Sequence, residues 1–170
     1  MLSRLLLPRT AALALALASA ATLLTVLAMQ YLGDLPPCPL CVWQRWPWVG
    51  VALLGPLGWR WQPRPLLGVI ALLLLTGAGI GAYHVGIEQG WWALPAGCAA
   101  GAEATSVEEL KRLLAEAPPA CDQVSFTFLG LTFAGWNVVG SLALAAYAAA
   151  AALGLGQRPA YDRAAVSREA

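Results

Sequence analysis

Four long apolar stretches dominate the hydropathy pattern, at about 10–30, 42–58, 66–84 and 133–155. A helix crossing the hydrocarbon core needs about 17–25 mostly apolar residues, and no apolar run in the intervals between these stretches is long enough to be a fifth. The pattern predicts an all-α membrane protein, a four-transmembrane-helix bundle forming one domain over 1–170. The first stretch follows Arg4 and Arg9 as a secretory signal would. A signal's apolar core is only about 7–15 residues long, however, and this run continues from Ala21 through Met29. A retained helix is expected.

The intervals differ in kind. Loop 31–41 holds Pro36, Pro37 and Pro39, whose fixed φ angles stiffen it. Loop 85–132 is long for a bundle connection, and such loops are usually functional or disordered. Within it Ser106 and Glu109 have capping-box spacing, and Val107, Leu110, Leu113 and Leu114 follow at helical spacing. A short amphipathic helix ending before Pro118-Pro119 is predicted, lying on the outer leaflet. In the third stretch Gly77 and Gly81 are four apart, and Ser141, Ala145 and Ala149 form a small-residue stripe in the fourth. Small residues let helix backbones approach closely in lipid. Pro47 should free the Trp43 carbonyl and kink the second helix, and Pro56 should do the same further along.

Composition narrows the function classes. At 59% hydrophobic and 11% charged, the chain is too apolar for an ordinary soluble domain. A net charge of +1 offers no basic surface to nucleic acid. Seven of the ten Lys and Arg residues, Arg4, Arg9, Arg60, Arg64, Arg158, Arg163 and Arg168, fall on one side of the four stretches. The positive-inside rule makes that side cytoplasmic. Both termini then face the cytoplasm, and loops 31–41 and 85–132 face out. Trp43, Trp46, Trp48, Trp91, Trp92 and Trp136 fall at outer ends of stretches, as an interfacial aromatic collar would.

All four cysteines lie on that outer side. Cys38-Pro-Leu-Cys41 stands at the mouth of the second stretch, and Cys98 and Cys121 bracket the expected amphipathic helix. Paired cysteines persist or cycle as disulfides in oxidising compartments. Exchange chemistry needs a thiolate, an accessible disulfide and a good leaving sulfur. Cys41 should sit in a first helical turn, where the helix dipole favours an anion. Arg45, one turn on, should lean back towards the Cys41 sulfur, lower its pKa further, and hold an oxygen of an aromatic oxidant as charge develops there. Snorkelling to headgroups is the plainer reading of such an arginine; the adjacent cysteine pair favours the functional one. Zinc wants four ligands with paired spacing, whereas Cys98 and Cys121 stand 23 positions apart, so no metal is expected. His84, the only histidine, lies beside Tyr83 with Glu88 one turn on. It is either a hydrogen-bonded structural residue or a group that contacts a quinone oxygen or relays protons.

Together these residues resemble the DsbB family, inner-membrane enzymes that reoxidise the periplasmic thiol oxidase DsbA. The resemblance rests on Cys38-Pro-Leu-Cys41-Val-Trp-Gln-Arg45, on Tyr83-His84, on Cys98 and Cys121 in the second loop, and on Phe128-Leu-Gly-Leu131 before the fourth stretch. It implies that a DsbA-like thioredoxin-fold partner attacks Cys98, that Cys121 is its bridge partner, and that electrons pass to Cys38 and Cys41. It further implies that Cys41 faces ubiquinone or menaquinone from the membrane pool, with Arg45 as the quinone-associated arginine and His84 matching a histidine of some members. The implied location is the bacterial inner membrane with the cysteines facing the periplasm. Gly/Pro/Ala-rich surroundings of Cys98 and Cys121 are compatible with an exchange-active bridge that a bulky protein reaches.

Two other readings compete. Enzymes of the vitamin K epoxide reductase type also carry two cysteine pairs in a small helical bundle, but there the loop pair precedes the membrane pair, the reverse of the order here. A non-catalytic scaffold or a transporter would use the disulfides as braces. It leaves Arg45 beside the dithiol unexplained, and a transporter would carry more polar residues at mid-membrane.

Overall fold

The computed structural model describes residues 7–95, 98, 106–108, 111, 118–124 and 126–155. In chain order the described elements are α1 (Pro8–Leu32), α2 (Pro39–Trp43), α3 (Arg45–Leu54), a 3₁₀ segment (Gly55–Trp59), α4 (Pro63–Glu88), a two-stranded hairpin of β1 (Thr127–Phe128) and β2 (Leu131–Thr132), and α5 (Phe133–Ala152). Among the described residues, three helices are long and apolar enough to cross a membrane: α1, α4 and α5. The amphipathic helix expected after Ser106 falls mostly outside the described residues.

The second apolar stretch differs from the single span read from hydropathy. Pro47 has no N–H to return to the Trp43 carbonyl, and the hydrogen-bonding breaks at Gln44, after which α3 restarts with Pro47 in its first turn. Gln44 keeps right-handed helical dihedrals of −64° and −18°. The break is therefore a change of pairing and not a chain reversal. Pro56 then tightens the end of the stretch into 3₁₀ geometry.

Helix ends follow their local chemistry. Pro8 and Pro63 open α1 and α4 at positions where a missing N–H costs nothing. Helix α4 runs one turn beyond His84, and a Schellman closure ends it: Gly90 has φ of 72°, and Trp91 N–H donates to the Gly86 carbonyl at 2.8 Å. At the end of α5, Leu155 N–H donates to the Ala150 carbonyl at 2.9 Å, with Gly154 at φ 72°.

Packing rests on small residues and one polar knot. The core joins Ala11, Ala12 and Leu15 of α1 to Trp48 and Val51 of α3, Leu67, Ile70 and Leu74 of α4, and Ala145, Ala148 and Ala151 of α5. The buried stripe on α5 is Ser141, Ala145 and Ala148, with Ala149 only half-buried. A Cβ on Gly81 would stand 2.8 Å from Asn137 Nδ2 and 2.9 Å from Val138 Cγ2, so α4 and α5 approach to the limit that glycine allows. Trp48 is not a collar residue: it is 5% exposed, and its Nε1–H donates to Asn137 Oδ1 at 2.7 Å. Asn137 Nδ2 in turn donates to the Gly77 carbonyl at 3.0 Å. An indole N–H inside a bundle needs such a partner, and Asn137 supplies it. Trp43, Trp46, Trp91 and Trp92 remain exposed.

Candidate active site

The first cysteine pair is placed by the start of α2. Cys38 is the N-cap, with Pro39 at the first helical position, and the Cys41 backbone N–H donates to Cys38 Sγ at 3.3 Å. This turn folds the two sulfurs to 3.0 Å apart, both as free thiols. Cys38 is buried and Cys41 half-buried. Cys98 and Cys121 are disulfide-bonded to each other, with Cα atoms 5.2 Å apart. Cys98 is 5% exposed and Cys121 fully buried. The reason is packing: Cys38, Cys98, Cys121 and Ile87 form one buried cluster, flanked by Leu40, Cys41 and Leu94.

His84 ties the two pairs together. On the body of α4 and 3% exposed, it accepts at Nδ1 from the Gln44 amide at 2.7 Å and donates from Nε2 to the Cys121 carbonyl at 3.1 Å. Cys38 Sγ lies 3.6 Å from the same Nε2. Glu88 Oε1 is 3.9 Å from Nε2, and the other carboxylate oxygen accepts from Thr132 Oγ1 at 2.7 Å. Thr132 is also the N-cap of α5, accepting from the Gly135 N–H at 3.1 Å. The hairpin presents it there. Leu129 and Gly130 both have positive φ, 51° and 80°, as a two-residue type I′ turn requires, and Trp136 Nε1 donates to the Phe128 carbonyl at 2.9 Å.

Cys38 is held well below the usual thiol range, first by the Cys41 side chain 3.0 Å away, then by His84. The Cys41 sulfur lies within hydrogen-bond reach of it. Arg45 does not figure among the causes. Its Nη1 donates instead to Gln30 Oε1 at 2.8 Å, linking α3 to the end of α1. A guanidinium carries five donors, and Gln30 fixes one edge of it.

The structure thus gathers Cys38, Cys41, Cys98, Cys121 and His84 in one place and sets Arg45 at its α1 side. Gln30, Gln44 and Thr132 were not singled out from sequence. A signal existed for the two glutamines: a polar amide in or beside an apolar run is costly to bury unless it is hydrogen-bonded. A cavity of about 410 Å³ opens beside the cluster, lined by Ile87, Glu88, Gln89, Gly90, Trp92, Leu94 and Asp122.

Comparison with known proteins shows the family. Residues 8–151 match the family profile described as disulfide bond formation protein DsbB. A disulfide bond formation protein B of Alkalilimnicola ehrlichii is 38% identical over 134 residues, covering 72% of this chain and 80% of its own length. Another from a Polaromonas species is 31% identical over 146 residues, covering 81% and 86%. One from Nitrosococcus oceani is 31% identical over 130 residues, covering 68% and 73%. No solved structure matches the chain. With two cysteine pairs packed against one histidine and a family match across almost all of its described length, the chain belongs to the DsbB family of disulfide bond formation proteins.

Proposed function

We propose that this protein makes disulfides de novo, taking two electrons from a reduced DsbA-like thioredoxin-fold protein in the periplasm and delivering them to the membrane quinone pool. The observation that carries this reading is the shared burial of both cysteine pairs around His84. A partner thiolate attacks Cys98 Sγ, the Cys98–Cys121 bond breaks, and Cys121 leaves as a thiolate. The partner's second thiol then displaces Cys98, completing the partner's disulfide. The loop pair is now a dithiol, and exchange with a Cys38–Cys41 disulfide restores the Cys98–Cys121 bond and leaves Cys38 and Cys41 reduced. Because Cys98 is buried, its sulfur must become exposed for the first attack.

The residues at the membrane side fit a quinone. Cys41 is the half-buried member of its pair, and the Arg45 cation is oriented by Gln30. A bound quinone supplies the two-electron oxidant. Arg45 orients a carbonyl oxygen and favours negative charge on it. Cys41 presents its sulfur, and His84, aligned by Gln44, holds a proton at Nε2 beside Cys38 Sγ and the Cys121 backbone.

For topology, residues 39–59 number enough for about 30 Å at 1.5 Å per residue, the thickness of the hydrocarbon core. That supports a fourth crossing built from α2, α3 and the 3₁₀ segment. Arg60 and Arg64 then fall on the cytoplasmic side and the cysteines on the periplasmic side.

Purified protein mixed with a reduced thioredoxin-like dithiol protein and a quinone tests the reading through the loss of quinone absorbance. Cys41→Ser should abolish quinol formation, and Cys98→Ser should stop the protein substrate while leaving part of a dithiothreitol-driven rate. Arg45→Ala should mainly raise the apparent quinone KM. Full turnover in both cysteine variants refutes the catalytic reading.

A further inference from the structure

The geometry points to a thiophilic metal site formed by Cys38, Cys41 and His84 in the reduced protein, one that holds Zn²⁺ or Cd²⁺ and blocks the pair while the ion is bound. Cysteine spacing alone argued against a metal, because it counted only sulfurs. The fold adds a third donor from 46 residues downstream of Cys38. One ligand atom from each of Cys38, Cys41 and His84 lies within 4.8 Å of the other two. The Cys-x-x-Cys turn is itself a common half of a zinc site, and two thiolates plus an imidazole, with a fourth position left to water, is an established zinc set. Soft sulfur with nitrogen in tetrahedral array selects Zn²⁺ and its heavier relative over Mg²⁺ or Ca²⁺.

The adjustments needed are small. Zn–S bonds of about 2.3 Å place two sulfurs about 3.8 Å apart in a tetrahedron, so the pair opens from its 3.0 Å separation. His84 Nε2 must present its lone pair. It does so when the proton sits on Nδ1, and the Gln44 amide, 2.7 Å away and 6% exposed, serves that tautomer by turning its oxygen to the ring. A metal-bound imidazole characteristically gives its other N–H to such an acceptor. Nε2 gives up its bond to the Cys121 carbonyl in exchange. The ion enters at half-buried Cys41 and displaces the one thiol proton the pair retains; no electrons move. This site depends on the dithiol and the imidazole, not on the quinone reading.

The test is Cd²⁺ titration in detergent, under argon, after reduction with a phosphine, followed by the ultraviolet thiolate–cadmium band. The forms compared are the reduced chain, the same chain oxidised at Cys38 and Cys41, and a Cys98→Ser/Cys121→Ser variant that leaves a single dithiol, reduced and oxidised. The expected result is one tight equivalent in the reduced single-dithiol variant, displaced by Zn²⁺ and absent from the oxidised chain. His84→Ala in the same background should weaken binding at least about tenfold, and Zn²⁺ should slow iodoacetamide labelling of Cys41 until a chelator is added. Equal binding by reduced and oxidised chains, or an unchanged affinity in His84→Ala, overturns the three-ligand site. The single-dithiol variant oxidised at Cys38–Cys41 is compared with its own reduced form, so that sequence and the remaining cysteines are held constant.

Discussion

Replacing Cys41 with alanine should move the ionisation of Cys38, and by an amount the geometry sets. The Cys38 sulfur is held anionic first by the Cys41 thiol at 3.0 Å, with help from the Cys41 backbone N–H at 3.3 Å and His84 at 3.6 Å. An ordinary thiol with a pKa near 8.5 is about 3% ionised at pH 7. Reduced protein with this arrangement should instead show close to one thiolate per Cys38–Cys41 pair at pH 7. A hydrogen bond to a charged group is worth about 1.5–3 kcal/mol, and one pH unit corresponds to about 1.4 kcal/mol. Cys41→Ala should therefore raise the Cys38 midpoint by about 1 to 2 pH units. Thiolate ultraviolet absorbance against pH, on the Cys98→Ser/Cys121→Ser background, measures it without requiring reagent access. The sign carries over to stability. A folded-state pKa below the unfolded one gives the reduced protein stability that is fully present above the unfolded thiol range and is lost as pH falls through the folded value. Absence of any thiolate at pH 7, or a midpoint that Cys41→Ala leaves in place, refutes this account of the pair.

Two further predictions concern the bundle. Gly81→Ala places a methyl 2.8 Å from Asn137 Nδ2 and 2.9 Å from Val138 Cγ2 and should destabilise by about 1–3 kcal/mol, whereas Gly79→Ala, with nothing within 4 Å, should be neutral; unfolding in mixed micelles compares them, and equal effects would mean that α4 and α5 do not meet at Gly81. Asn137→Leu strips partners from Trp48 Nε1 and the Gly77 carbonyl and should cost about 1–2 kcal/mol, given that a single interhelical hydrogen bond in a membrane averages about 0.6. Trp48→Phe in that background should add less than it does alone, and strict additivity would dissolve the pair.

Much of the fold was legible because its signals are local. Apolar length announces α1, α4 and α5, and proline at first turns with glycine past last turns marks several ends. The Cys38-Pro-Leu-Cys41 turn is local too, since a single helical turn brings its sulfurs together. In the second apolar stretch hydropathy sums over residues and does not register hydrogen bonding; there Pro47 and Pro56 are the local signals of the interruptions. Trp48 was misplaced for a related reason: its position marks an outer end, but its burial depends on Asn137, 89 residues away.

The sequence by itself determined an apolar helical chain with two cysteine pairs and a basic side, because length, composition and charge asymmetry act residue by residue on the lipid–water boundary. Only the tertiary structure decided that both pairs share one buried cluster, that His84 stands between them, and that Arg45 is held by Gln30 while His84 stands 3.6 Å from the Cys38 sulfur. Those outcomes hinge on distances of 2.7–3.6 Å between residues 15 to 46 positions apart. Such separations are set by how α1, α3 and α4 pack, which no pattern along a single helix encodes.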